Sequence, residues 1–194
     1  ARNASLLSTK PKRCMLFIAL TGEEKGLLGA EYFAKNPTVP KNSIVANINM
    51  DMPVILTELL DVVTIGVDHS SLQKQVEQAA SEIGFLLSPD PAPDQVVFVR
   101  SDQFAFVRQG IPAVYLDGGV VAKDPNIVGK ELMENFLKTH YHRPSDDLNQ
   151  PIHYATAAKM AALNARIGQL VADDPYRPRW NLGDFFGQKF AGQP

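Results

Sequence analysis

An apolar run from Cys14 to Leu20 ends at Thr21-Gly22-Glu23-Glu24, gives way to a helical pattern, and is followed by a second apolar run from Ile44 to Met50. Few folds accommodate that order. Continuous apolar runs of this length suit strands covered on both faces. Between them Leu27, Leu28, Ala30, Phe33 and Ala34 recur at helical spacing until Asn36-Pro37 stops the helix. The segment reads as a strand, helix, strand unit.

The alternation continues. Val62 to Val67 reads as a third strand, and Ser70 and Ser71 as caps of a helix through Glu82, with Leu72, Val76, Ala79, Ala80 and Ile83 on one face and Gly84 as terminator. Ser88 to Asp94 is a Pro/Asp-rich loop, Ser101 to Gln109 a short helix closed by Gly110, and Ile111 to Leu116 a further strand. Gly118 to Lys138 is a long irregular or partly helical connection, either functional or disordered, and its position just before Tyr141-His142 favours the functional option. His153 to Val171 is an Ala-rich helix. In the tail, Tyr176 to Pro194, the aromatics Trp180, Phe185, Phe186 and Phe190 either dock on the body or seek a partner. The expected architecture is a three-layer α/β/α sandwich with a mostly parallel central sheet.

With 194 residues, 45% of them hydrophobic, the chain can bury one sizeable core, so a single domain over 1–174 with a tail over 175–194 is expected. A net charge of -2 without a Lys/Arg cluster excludes the electrostatic footprint of nucleic-acid or anionic-membrane binding. No apolar run approaches the roughly 20 residues of a membrane span. Cys14 is the single cysteine, so no internal disulfide is expected, and its place in an apolar run suggests a buried thiol. Ala1 to Pro11 reads as the end of an earlier helix plus a linker, and with no initiating methionine the chain is expected to be a fragment of a longer protein.

In open parallel sheets, ligands gather outside the carboxyl ends of the strands. Glu23 and Glu24 follow the first strand and Asp51 the second, which brings three carboxylates to one edge. Such a group is unfavourable unless a cation neutralises it or a proton is taken up. Adjacent strand residues face opposite ways, so Glu23 and Glu24 serve one site only if the chain turns, and Gly22 permits the turn. One carboxylate can then bind a metal while the other stays free as a general base. His142 adds an imidazole donor, and Asp146 is close enough in sequence to orient it. Glu, Asp and His together favour zinc, with manganese or cobalt as substitutes. Taken singly, each has a plainer reading: the Glu pair as partners of a helix dipole, Asp51 as a turn cap, His142 as a surface or hydrogen-bonded histidine. Their conjunction in one chain favours the metal. His69, His140 and His153 read as structural or solvated.

These motifs resemble those of the two-zinc aminopeptidase family of zinc-dependent exopeptidases, which also contains glutamate carboxypeptidase-like and glutaminyl cyclase-like members. The resemblance covers most of residues 12–172. It rests on Phe17 to Gly29 around the acidic pair, Asn47 to Met52, Arg100-Ser101-Asp102-Gln103-Phe104 followed by Gly110-Ile111-Pro112-Ala113, and Tyr141-His142-Arg143-Pro144-Ser145-Asp146-Asp147-Leu148. Many members have His at the place of Gln103. The resemblance implies Glu23 as general base, Glu24 and His142 as ligands of one zinc, Asp51 as ligand of the other, Asp146 behind His142, and Ser101 and Asp102 in the pocket wall. The implied reaction is hydrolysis of the peptide bond next to a free amino terminus, so the partner is a peptide.

The family's His-x-Asp motif, with a histidine ligand and a bridging aspartate, lies upstream of the acidic pair, and nothing in Ala1 to Arg13 supplies it. The chain is therefore expected to be the C-terminal part of a catalytic domain without its first strands, to hold at most one weak zinc half-site, to be inactive alone, and to offer an exposed sheet edge for homodimerisation. Secreted or periplasmic relatives are common in bacteria. Two alternatives share the fold: a one-zinc glutaminyl cyclase-like acyl transferase, and a non-catalytic interaction module.

Overall fold

The fold is that of a computed structural model, which describes residues 10–192. Most of the Ala1 to Pro11 segment lies outside the described residues. Among the described residues four strands, β1 (Asn47–Asn49), β2 (Asp61–Ile65), β3 (Leu86–Ser88) and β4 (Ala113–Gly118), form one sheet in the order β1-β4-β2-β3. The helices are α1 (Leu28–Lys35), α2 (Gln73–Ile83), α3 (Gln103–Val107), α4 (Gly129–Thr139), α5 (Tyr154–Asp173) and α6 (Phe185–Ala191).

Period-two alternation along β2 and β4 divides the core between the two faces of the sheet. Val62, Val114 and Leu116 pack with α2 and α5, through Val76, Ala79, Leu163 and Ile167. Val63, Ile65, Ala113 and Tyr115 pack on the other face with Phe98, Val107 and Trp180. A third cluster joins α1 to α3 through Ala30, Ala34, Ala105 and Phe106. Helices on both faces give the expected three layers.

The sheet is more mixed than the sequence implied. β1 pairs with β4 and β2 with β3 in parallel, but the central β2 and β4 run antiparallel, with Val63 opposite Asp117 and Ile65 opposite Tyr115. Antiparallel pairing turns the carboxyl end of β2 to the edge opposite that of β1 and β4. Ligand groups after β1 and β4 thus share an edge that β2 does not.

Three local expectations need correction. The run Cys14 to Leu20 is not a strand, and Cys14 is exposed. Apolar composition makes a strand only where a neighbour completes its hydrogen-bond ladder, and among the described residues β1 pairs with β4 alone. Leu16 and Phe17 are consequently exposed. Leu86–Ser88 forms β3 at the start of the Pro/Asp-rich loop, whereas the helix Gly129–Thr139 agrees with a partly helical connection. Ser70 and Ser71 do not cap α2 as expected: Leu72 occupies the cap position, while Ser71 Oγ accepts the Arg179 N–H. Gly84 does terminate α2, in left-handed conformation.

The tail docks on the body. Trp180 is buried and donates its indole N–H to the Gly110 carbonyl at 3.0 Å, and Asp184 caps α6 with one oxygen while the other meets His69 Nδ1 at 2.6 Å. No helix among the described residues is long and apolar enough to cross a membrane.

Candidate metal centre

Gly22 has φ 70°, a left-handed turn that a side chain would strain, and it swings Glu23 and Glu24 out of the extended run into a 3₁₀ turn, Glu23–Lys25. Gly29 then packs against that turn: its N–H donates to the Thr21 carbonyl at 2.9 Å, and a Cβ there would lie 2.5 Å from the same oxygen. The glycine spacing of the motif is what allows α1 to start so close to the acidic pair.

His142 comes from a loop 118 residues further along, after α4, and its Nε2 lies 2.5 Å from Glu24 Oε1. Both side chains are more than half exposed. His142 is held at φ 57°, an uncommon conformation outside glycine, and its ring stacks on Tyr141 with centroids 3.8 Å apart. Asp51 follows β1; its Oδ2 accepts the Ser101 hydroxyl at 2.8 Å and its carbonyl accepts the Tyr115 phenol at 3.2 Å. Asp146 is exposed and makes no hydrogen bond to His142. Asp102 adjoins the site, with Oδ1 buried and unpartnered.

The donor set is chemically suited to zinc but incomplete. Two donors about 2.0–2.2 Å from one tetrahedral ion stand roughly 3.3 Å apart, so Glu24 and His142, exposed and in direct contact, need only a small opening to share one. Asp51 is turned to Ser101 instead, and among the described residues no three His, Cys, Asp or Glu side chains converge on a common metal position.

Burial leads the electrostatics, and carboxylate crowding adds to it. Burial, then Asp51, Glu24 and Asp102, push the Glu23 carboxyl above its ordinary value, against a smaller opposing effect of His142. Burial and Asp51 raise Asp102 likewise. Tyr141 is raised by burial and by Glu24, Asp51 and Glu23, so its phenol stays protonated at neutral pH. Asp117, at the end of β4, did not stand out in the sequence, and Tyr141 entered only as the first residue of the motif that carries His142.

Asp117 is pushed up to about 6, mainly by burial, with Asp51 adding and the Gly118 N–H and Tyr115 opposing. The native protein therefore binds this proton more tightly than the unfolded chain, and stability from this group falls as the pH rises from about 4 to about 6. Asp117→Asn keeps an oxygen for the Gly118 N–H at 2.6 Å and removes the charge. It should stabilise the protein by ~1–3 kcal/mol at pH 7 and hardly at pH 4. Urea denaturation at the two pH values checks this, and an equal effect at both contradicts it.

A cavity of about 550 Å³ lies elsewhere, between the turn after β2 and the segment 93–99, with His69, Phe98 and Phe186 in its wall. Glu24, Asp51 and His142 do not line it.

The model of peptidase family M28 matches residues 2–167. Among solved structures, the chain resembles BSAP, a zinc aminopeptidase from Bacillus subtilis, at 20% identity and a TM-score of 0.58, over 82% of this chain and 36% of that one. It also resembles an aminopeptidase from Aneurinibacillus sp. strain AM-1, at 20% identity and a TM-score of 0.52, over 81% of this chain and 33% of that one. The chain thus spans about a third of the length of each, and likeness at that identity bears on the fold alone. No curated protein matches the chain.

Proposed function

The chain belongs to peptidase family M28, and from that premise we propose that it carries the general base and part of the zinc-binding set of an aminopeptidase. The observation that carries the reading is the direct contact of Glu24 with His142 across 118 residues of sequence. Glu24 and His142 would hold one zinc and Asp51 would contribute to a second. Zinc bound there would supply a Lewis acid for the scissile carbonyl.

The chain's own residues supply the rest. Glu23, next to Glu24 yet not bonded to His142, is the free carboxylate; its raised pKa makes it a stronger base, suited to take the proton of the attacking water and pass it to the leaving amine. The carboxylates of Asp51 and Asp102 favour a cationic group, which suits the free amino terminus of a peptide. Ser101 fixes Asp51 from behind, and the protonated Tyr141 phenol is a donor for a substrate oxygen. We read 1–174 as the catalytic part and 175–194 as an appendage docked through Trp180. Three donors divided two and one make weak sites, so little turnover is expected of this chain by itself. Among the described residues β1 pairs on one side alone, which supports association with a second copy through its other side.

Zinc retained after dialysis against micromolar zinc tests the assignment. The expected outcome is about one zinc per chain, lost in both Glu24→Ala and His142→Ala and kept in Lys25→Ala. Zinc that survives both of the first two substitutions sinks it.

A further inference from the structure

Gln103 opens α3 and is fully buried. Its amide nitrogen donates to the carbonyls of Val97 at 3.3 Å and Phe98 at 3.0 Å. Two carbonyls facing one end of an amide admit only its NH₂, so Oε1 is forced to the other side, where it accepts from Asn49 Nδ2 at 2.7 Å. The same Asn49 nitrogen donates to Ser101 Oγ at 3.1 Å. Ser101, accepting there, turns its single hydrogen to Asp51 Oδ2 at 2.8 Å. Every hydrogen of the chain is committed. Flipping Asn49 would set its oxygen against Gln103 Oε1, and flipping Gln103 would set oxygen against two carbonyls, so the direction is fixed at the far end by backbone.

We propose that Gln103 is a positioning residue that, through Asn49 and Ser101, holds Asp51 by one oxygen and leaves the other free for a ligand. This rests on the reading of Asp51 as a metal donor. An amide does not titrate, so the direction of the chain persists at any pH at which the protein is folded. A neutral imidazole could also donate to one carbonyl and accept from Asn49, but an imidazolium would present a donor to a donor.

The test compares the 194-residue chain with Gln103→Met, Gln103→His, Asn49→Ala, Ser101→Ala and the Gln103→Met/Ser101→Ala pair. Two quantities are read by NMR, affinity for the second zinc, the one assigned to Asp51, titrated with the Glu24–His142 site already filled, and exchange of the Asn49 side-chain amide hydrogens. Gln103→Met should weaken zinc binding about tenfold and speed Asn49 exchange, and Gln103→His should restore most of both above its own imidazole titration. The double variant should bind no more weakly than Ser101→Ala, because both substitutions cut one chain. Losses that multiply, or a folded Gln103→Met that binds zinc like the wild type, overturn the proposal.

Asn49→Ala breaks the same chain at a half-buried position, so unchanged zinc affinity in it is equally fatal even if Gln103→Met does not fold. A wild-type chain that binds no second zinc defeats the reading of Asp51 as a metal donor by itself. Exchange then decides the relay: Asn49 hydrogens slow in the wild type and Gln103→His but fast in Gln103→Met, or in Ser101→Ala if the former is unfolded, uphold it, and equal rates overturn it.

Discussion

Trp180→Ala should destabilise the protein by about 3–5 kcal/mol, the range for removing a large aromatic from a packed core. Trp180 lies in the tail, yet it is buried among Val63, Ile65, Phe98, Val107, Ala113 and Tyr115, which come from β2, β4, α3 and the segment before α3. Truncation leaves a void where those elements meet and deprives the Gly110 carbonyl of its indole donor. It also removes the support of α6, because Gly187 packs on Trp180 so closely that a Cβ there would lie 2.6 Å from the Trp180 Cβ. A seven-residue helix has little stability of its own. Equilibrium urea denaturation measures the loss, with Leu182→Ala, at an exposed position of the same tail, as the control expected within about 0.5 kcal/mol of wild type. A loss below about 1 kcal/mol for Trp180→Ala would mean that the tail unfolds separately from the body.

What the sequence made legible was what local pattern encodes. The apolar face of α2, its stop at Gly84, the long α5 and the turn at Gly22 all follow from periodicity and from glycine conformation. The meeting of Glu24 and His142 was legible too, but from matching motifs rather than from any local rule. The failures share a different physical origin. Cys14 to Leu20 has strand composition, but a strand is a property of two chains, and no described neighbour pairs with it. The antiparallel contact of β2 with β4 is decided by how the chain returns after β3, which no residue between Asp61 and Ile65 records. Gln103 was noticed only as a departure from histidine, and its connection to Asp51 through Asn49 is visible only when three segments are side by side. Asp61 attracted no notice at all, since an acidic residue before Val62-Val63 reads as a turn residue.

That Asp61 is fully buried, and it is the pin between the sheet and the loop that leads towards α4 and His142. Its Oδ1 accepts the Val121 N–H at 2.8 Å; its Oδ2 accepts the Val120 N–H at 3.2 Å and the Ser88 hydroxyl at 2.6 Å. Gly119 passes so close that any side chain there would collide with the carboxylate. Asp61→Ala strands two backbone donors in the interior and empties the space between them. Each orphaned donor costs about 1–3 kcal/mol, so a total loss of about 3–5 kcal/mol is expected. Asp61→Asn separates the hydrogen bonds from the volume. Both oxygens accept from a backbone N–H, so either amide orientation points an NH₂ at a donor, and the near-isosteric change should still cost about 2 kcal/mol. Denaturation midpoints give both values, and hydrogen exchange at Val120 and Val121 gives their location. Faster exchange at those two amides in Asp61→Asn, with β1 and α5 protected as in the wild type, would place the damage in the loop. A neutral Asp61→Asn would mean that the carboxylate is not what holds the loop, and the approach from β4 to His142 would need another anchor.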